Sequence, residues 1–376
     1  MRHQQMPGMK MPTAMEHDAV SELLMRQASG TSMNPQSAST AAPMQMSMTQ
    51  HGGWMLMLHG QAFISDVQQT GPRGGDKFFS TNWGMAMADR KLGDGHLMLR
   101  SMLSLEPATV GDEYPELFQT GETLHGRPIV DAQHPHDFFM EIAAEYARPL
   151  TSSTIGYIYA APVGDPALGP VAYPHRASAS EIPQATLSHH LQDSTHIAAS
   201  VITLGAQSGA LGYAFSGFHG REPDEDRWDI DTGRIGSWSA RVTFDPTPHW
   251  TAQVSTGHLH HPEALEARDA QRTTASVAYS NAVSSTSFIY GYSEGSSSWV
   301  AESVLHFGMN YVTGRGEVVD KAFRVKALTL GYTRDVFPGA GIGTNVTLYS
   351  IPAFATAEYG SSPRSYYLFV RLRGSM

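Results

Sequence analysis

The sequence predicts an all-β protein: a transmembrane antiparallel up-and-down β-barrel of about sixteen strands (roughly 14–18), behind a disordered N-terminal leader. Three observations carry that prediction. Apolar and polar residues alternate at period two, segment after segment, from Trp54 to Arg373. Tight turns and long polar loops take turns between those segments. Charged residues make up only 16% of the chain, and no apolar run approaches the ~18 residues that a spanning helix requires.

The last segment shows the pattern most fully. In Ser365-Tyr366-Tyr367-Leu368-Phe369-Val370-Arg371-Leu372-Arg373, one face carries Tyr366, Leu368, Val370 and Leu372, and the other carries Arg371 and Arg373. Upstream, Trp54, Leu56, Leu58 and Ile64 alternate with Met55, Met57, His59 and Gln61. Leu97, Leu99 and Leu103 alternate with His96, Met98, Arg100 and Met102, and Trp238, Ala240, Val242 and Phe244 alternate with Ser239, Arg241 and Thr243. A soluble sandwich would alternate as well, so loop length decides.

Candidate strands fall near 54–66, 77–90, 96–106, 136–148, 153–162, 194–205, 210–220, 235–244, 250–260, 271–281, 286–293, 299–307, 311–319, 323–335, 342–350 and 364–373. Alternate connections are tight, as at Gly93-Asp94-Gly95, Gln207-Ser208-Gly209 and Phe337-Pro338-Gly339-Ala340. Most of those between are long and polar: 67–76, 107–135, 163–193, 221–234, 261–270 and 351–363. Short turns on one rim and long loops on the other are what an outer-membrane barrel needs. The segment 138–146 places Glu141 and Glu145 on one face as a strand or as a helix; the tight turn at Arg148-Pro149-Leu150 favours the strand.

Residues 1–53 read as a separate, disordered segment, with 54–376 as the barrel. The first fifty residues are rich in Met, Pro, Ser, Gln and Thr and lack aromatics, so they bury too little apolar surface to offset their ordering entropy. Ala19 to Met25 is the one stretch that reads as a short amphipathic helix. The start, Met1-Arg2-His3-Gln4-Gln5, lacks a secretory signal. The expected location is the outer membrane of a Gram-negative bacterium, the signal having been removed or lying ahead of the first residue.

Twelve of nineteen methionines fall within residues 1–57. Thioether sulfur is a soft, uncharged ligand suited to Cu(I), and imidazole extends the range to Cu(II) and zinc. Candidate metal ligands in and near the leader are therefore Met9, Met11, His17, Met44, Met46, Met48 and His51. Met55, Met57 and His59, with His96, Met98 and Met102, face away from the leucines and would continue that chemistry into the lumen. The competing reading is that these methionines fill gaps in a packed interior. The two long loops add His134, His136, His175, His189, His190 and His196, with Asp137, Glu181 and Asp193 nearby. His-x-His and His-His spacing beside carboxylates suits zinc or copper; the alternative is a hydrogen-bonded loop network without an ion. His258, His260 and His261 form a weaker group, placed at the outer rim by parity with Val254.

Other classes recede. The net charge of −10 disfavours nucleic acid. There is no cysteine, hence no disulfide or thiolate site. No Gly-x-Ser-x-Gly elbow appears, and Gly71-Pro72-Arg73-Gly74-Gly75-Asp76 lacks a phosphate-binding Lys-Ser/Thr. No enzyme activity is expected.

Three segments, Gln133-His134-Pro135-His136-Asp137-Phe138-Phe139, Pro162 to Pro170 and His189-His190-Leu191-Gln192-Asp193-Ser194-Thr195-His196, together resemble a family of Gram-negative outer-membrane proteins over most of 54–373. That resemblance implies the barrel and carries no activity with it. A Met/His leader followed by a barrel is also similar in layout to copper resistance protein B. The expectation is a barrel that binds or passes soft transition-metal ions, copper first, in metal homeostasis or resistance. The alternatives are a general porin for small polar solutes and a plugged structural barrel. Copper ions are the only candidate cofactor. Expected partners are outer-membrane lipid, metal ions or small solutes, and periplasmic metal-handling proteins.

Overall fold

The computed structural model describes residues 18–38, 47–265 and 268–374. A short strand β1 (Ser47–His51) turns back on β2 (Trp54–Gln69), which is followed by β3 (Asp76–Leu92) and β4 (Gly95–Leu103). A separate hairpin, β5 (Tyr114–Leu124) and β6 (Arg127–Gln133), interrupts the series. It then resumes with β7 (Phe139–Pro149), β8 (Thr154–Gly164), β9 (Ala198–Ser208), β10 (Leu211–His219), β11 (Ser237–Thr247), β12 (Trp250–Leu259) and β13 (Ala270–Ser280). The last six are β14 (Ser284–Ser293), β15 (Ser296–Phe307), β16 (Asn310–Asp320), β17 (Arg324–Phe337), β18 (Ala340–Ser350) and β19 (Arg364–Gly374).

Without β1, β5 and β6, sixteen strands form a closed antiparallel barrel. Each pairs with its neighbour in sequence, β4 pairs with β7 across the hairpin, and β19 closes on β2 from Ser365↔Gln69 to Gly374↔Gly60. Closure leaves no open edge for another chain to add to.

Side-chain parity follows the sequence. On β19, Tyr366, Leu368, Val370 and Leu372 are exposed, while Ser365, Tyr367, Phe369, Arg371 and Arg373 are buried. Leu204, Phe215, Val254, Phe288, Trp299, Leu330 and Leu368 stand on the same exposed outer surface. So continuous an apolar belt is a poor surface in water and a good one against acyl chains. Tight turns close one rim, several through a glycine in the left-handed region, such as Gly93 (φ 64) and Gly339 (φ 78).

Differences from the expected boundaries have local causes. The strand expected from 194 begins at Ala198, because Ser194–Ile197 form a 3-10 turn. β4 ends at Leu103, so Glu106 lies on a short helical turn, Glu106–Thr109, rather than on a strand face. The β5–β6 hairpin lies inside a segment expected to be irregular. Its turn residues His125 (φ 53) and Gly126 (φ 70) both have positive φ, which matches the right-handed twist of the flanking strands.

The leader departs from full disorder where it is described. Residues 19–26 form the expected helix, α1 (Ala19–Arg26), capped by the Asp18 carboxylate, which accepts from Val20 N and Ser21 N at 3.1 and 3.0 Å. Val20, Leu23 and Leu24 are buried against the inner wall, near the short-turn rim. Met9, Met11, His17, Met44 and Met46 lie outside the described residues.

Candidate functional site

The loop after β8, residues 165–197, folds into the lumen, and almost every residue in it is buried. It is held there by charge. Glu181 accepts from Arg371 Nη1 at 2.6 Å and from Arg373 Nη2 at 2.5 Å. Arg176 donates to Glu302 at 2.5 Å and to Asp193 at 3.1 Å, and Glu302 also accepts from Arg315 at 3.0 Å. Gln184 bonds to Asn345, and Gln192 to Ser298. Isolated charges at this depth would be costly, and Glu181 with Arg371 and Arg373, and Arg176 with Glu302, are paired across the gap between loop and wall.

Parity put Arg100, Arg241, Arg371 and Arg373 on inward faces, and all four are buried there, as is Glu302 of β15. Arg176, Arg272, Arg315 and Glu317 were missed. Arg315 sits directly opposite Glu302 on the neighbouring strand, a pairing legible only once register is known. Two interior cavities measure about 30 Å³ each, room for a water or two. With loop and α1 in place, the lumen is occluded.

The inner wall near α1 is built largely of methionine. Met55, Met57, Met98 and Met102, with Met33, Met85, Met87 and Met140, pack as one cluster with Val20, Leu23 and Leu24. The lumenal placement expected for the first four is therefore realised, as the socket of a docked helix. Met48 and His51 lie on the exposed β1 hairpin, outside this cluster. His96 has both ring nitrogens committed, Nδ1 to Asp89 at 3.0 Å and Nε2 to Asp18 at 3.2 Å. His59 stands edge-on to Trp83 with its Nδ1 unpartnered.

The loop histidines separate into two groups. His134, His190, His189, His196 and His136 form a chain of rings with successive centroids 5.2 to 5.9 Å apart. Their nitrogens are mostly held: His134 by Glu122 at 2.8 Å, His136 by Glu106 at 2.9 Å, His189 by Asp193 at 2.7 Å, and His190 by Glu222 at 3.1 Å. His175 lies apart, its ring centroid 4.3 Å from that of Trp83. Burial pushes His175 down to about 3, with His59 and His136 adding to the effect. Burial likewise pushes His189 down to about 4, although the Asp193 carboxylate opposes it. Asp193 itself is held well below the usual carboxylate range, because His189 and Arg176 outweigh the cost of burial.

Metal ligation needs three or four donors around one point. Among the described residues, His190 is the only one of the expected histidines that meets two further His, Asp or Glu donors within 4.8 Å, namely Glu222 and Glu263. The rest of the histidine chain is a hydrogen-bonded network threaded between loop and rim. The other two such groups are Asp224, Asp229 and Asp231, and His260, His261 and Asp269.

Neither a family model nor a curated protein matches the sequence. Solved structures do. An anion-selective porin from Comamonas acidovorans superposes with a TM-score of 0.57 at 12% identity, covering 85% of this chain and 100% of that one. Salmonella typhi OmpF in complex with daunomycin gives 0.55 at 9% identity, covering 87% of this chain and 100% of that one. At such identities the likeness is one of fold alone: a porin-like sixteen-stranded antiparallel β-barrel.

Proposed function

We propose that the protein is a porin-like passage for small polar solutes, closed in the described state by loop 165–197 and by α1. The observation that carries this reading is how the lumenal charge is satisfied. Arg371 and Arg373 share Glu181 of the loop, and Glu302 of the wall holds Arg176 of the loop. Withdrawal of the loop would leave a wide, water-accessible bore lined by arginine and glutamate, which is a solute path rather than a packed core. The solved structures that share this fold are porins, which supports the reading.

Planar-bilayer conductance tests it. The wild type should conduct little, and a variant that lacks residues 18–38 and has residues 171–192 replaced by a short Gly-Ser link should conduct at porin-like levels. A silent loop-less barrel that still shows heat-modifiable electrophoretic mobility would leave the plugged structural barrel as the better account.

A second reading, binding or passage of copper, rests on the eight methionines of the inner cluster and on the leader that precedes them. Its test is Cu(I) titration of the purified barrel. Replacing Met57, Met98 and Met102 by leucine keeps the apolar volume and removes the sulfur, so unchanged affinity would retire the inner cluster as a copper site and leave its methionines as packing alone.

A further inference from the structure

Outside the lumen, the end of β12 and the approach to β13 gather three histidines around one aspartate. His258 and His260 are two residues apart on an extended chain, so both side chains leave the same, outward face. The backbone of His261 is left-handed (φ 48), which keeps its ring beside that of His260, with centroids 4.2 Å apart. Asp269 comes from the opposite end of the connecting loop, next to Ala270, which pairs with Leu259. Its carboxylate meets all three rings: Oδ2 is 3.2 Å from His258 Nε2, and Oδ1 is 2.8 Å from His260 Nδ1 and 3.5 Å from His261 Nε2. The donor atoms of His260, His261 and Asp269 lie within 4.8 Å of one another.

Surface carboxylates commonly pair with lysine or arginine. Among the described residues, the ion-pair partners of Asp269 are these three imidazoles alone. Neutral imidazole is a donor in wait for a cation, and the three side chains remain between 35% and 56% exposed, so an ion reaches them without displacing the fold.

We propose that His258, His260, His261 and Asp269 form a surface site for a divalent transition-metal ion of the zinc or copper(II) class. Two imidazole nitrogens and one carboxylate oxygen already lie within 4.8 Å of one another, and His258, against the other carboxylate oxygen, stands by as the fourth donor, a set that suits borderline ions accepting four-fold coordination. Calcium and magnesium would require mainly oxygen donors, and Cu(I) would favour the thioethers that this site lacks. A bound ion ties the two ends of the β12–β13 connection together at the long-loop rim. The site lies on the outer side of the wall, so it stands or falls independently of any passage through the lumen.

Zinc titration of the full-length barrel in detergent micelles, read by calorimetry, tests the proposal. Three proteins are compared: the wild type, the double variant H260Q/H261Q, and a variant with His3, His17 and His51 of the leader replaced. The leader variant should keep one zinc at wild-type affinity, and H260Q/H261Q should weaken it by about tenfold or more, since even outer partners of metal ligands are worth 10–100-fold. Wild-type crystals soaked in zinc give a readout that no variant's folding can confound: an anomalous peak among the four side chains is expected. The proposal is overturned if H260Q/H261Q binds within about twofold of the wild type. It is equally overturned if zinc is lost only with the leader histidines, or if the peak is missing or sits only at His190, Glu222 and Glu263.

Discussion

At the scale of single residues, the inserted loop is held by side chains whose charge state matters more than their shape. His175 is buried against Trp83 with its Nε2 unpartnered, and it is docked in the neutral form because burial pushes it down to about 3. Once the loop leaves the lumen, the same imidazole should titrate near an ordinary value of about 6.5. Between those two values the withdrawn state binds the proton and the docked state does not. Docking is therefore strongest above about pH 6.5 and weakens as pH falls below it, by about 2 kcal/mol at pH 5 for this group alone. Burial pushes His189, His190 and His196 of the same loop down as well, so they add to this response, whereas His136 opposes it, since Glu106 raises it despite burial. Conductance or tryptic cleavage at Arg176 should rise between pH 7 and pH 5, and H175Q should make that rise shallower without abolishing it. An equally steep profile in H175Q would assign the pH response to other groups.

At the scale of elements, α1 and the inserted loop share a dependence on the barrel. An eight-residue helix is too short to persist alone in water, even with the Asp18 cap and a basic last residue. Its helicity comes from burying Val20, Leu23 and Leu24 in the methionine socket. Unbranched thioether side chains adapt to that contour more readily than branched ones. Leu24→Ala removes the most buried contact and should cost about 2–5 kcal/mol of docking. Residues 18–38 should then become accessible to protease from the short-turn side while the barrel keeps its heat-modifiable mobility. Unchanged protection would mean that Arg26–Asp245 at 3.2 Å and Gln27–Glu145 at 2.8 Å hold the segment without the apolar contact.

At the scale of the whole molecule, the barrel was legible because its code is local. Each of the sixteen strands announces itself by period-two alternation between punctuating turns, and lipid outside with water or polar groups inside forces that alternation on every strand alike. The candidate site was legible only in pieces. Glu141 and Glu145 could be placed inward from parity, but their partner Arg100 required the register of β4 on β7. The five-histidine chain joins a loop after β4 to a loop after β8, with carboxylates from Glu106, Glu122 and Glu222, and no spacing within one segment encodes that meeting. The β5–β6 hairpin carried a faint signal in His125-Gly126, hidden because its strands do not alternate cleanly. What the sequence by itself determined is the closed wall and the direction each wall residue faces, since those follow from neighbours along the chain. Tertiary structure alone decided that residues 165–197 and 18–38 fill the bore, because ion pairs such as Arg371–Glu181 and contacts such as Leu24 with the methionines join positions far apart in sequence, and their energy exists only once the barrel has closed around them.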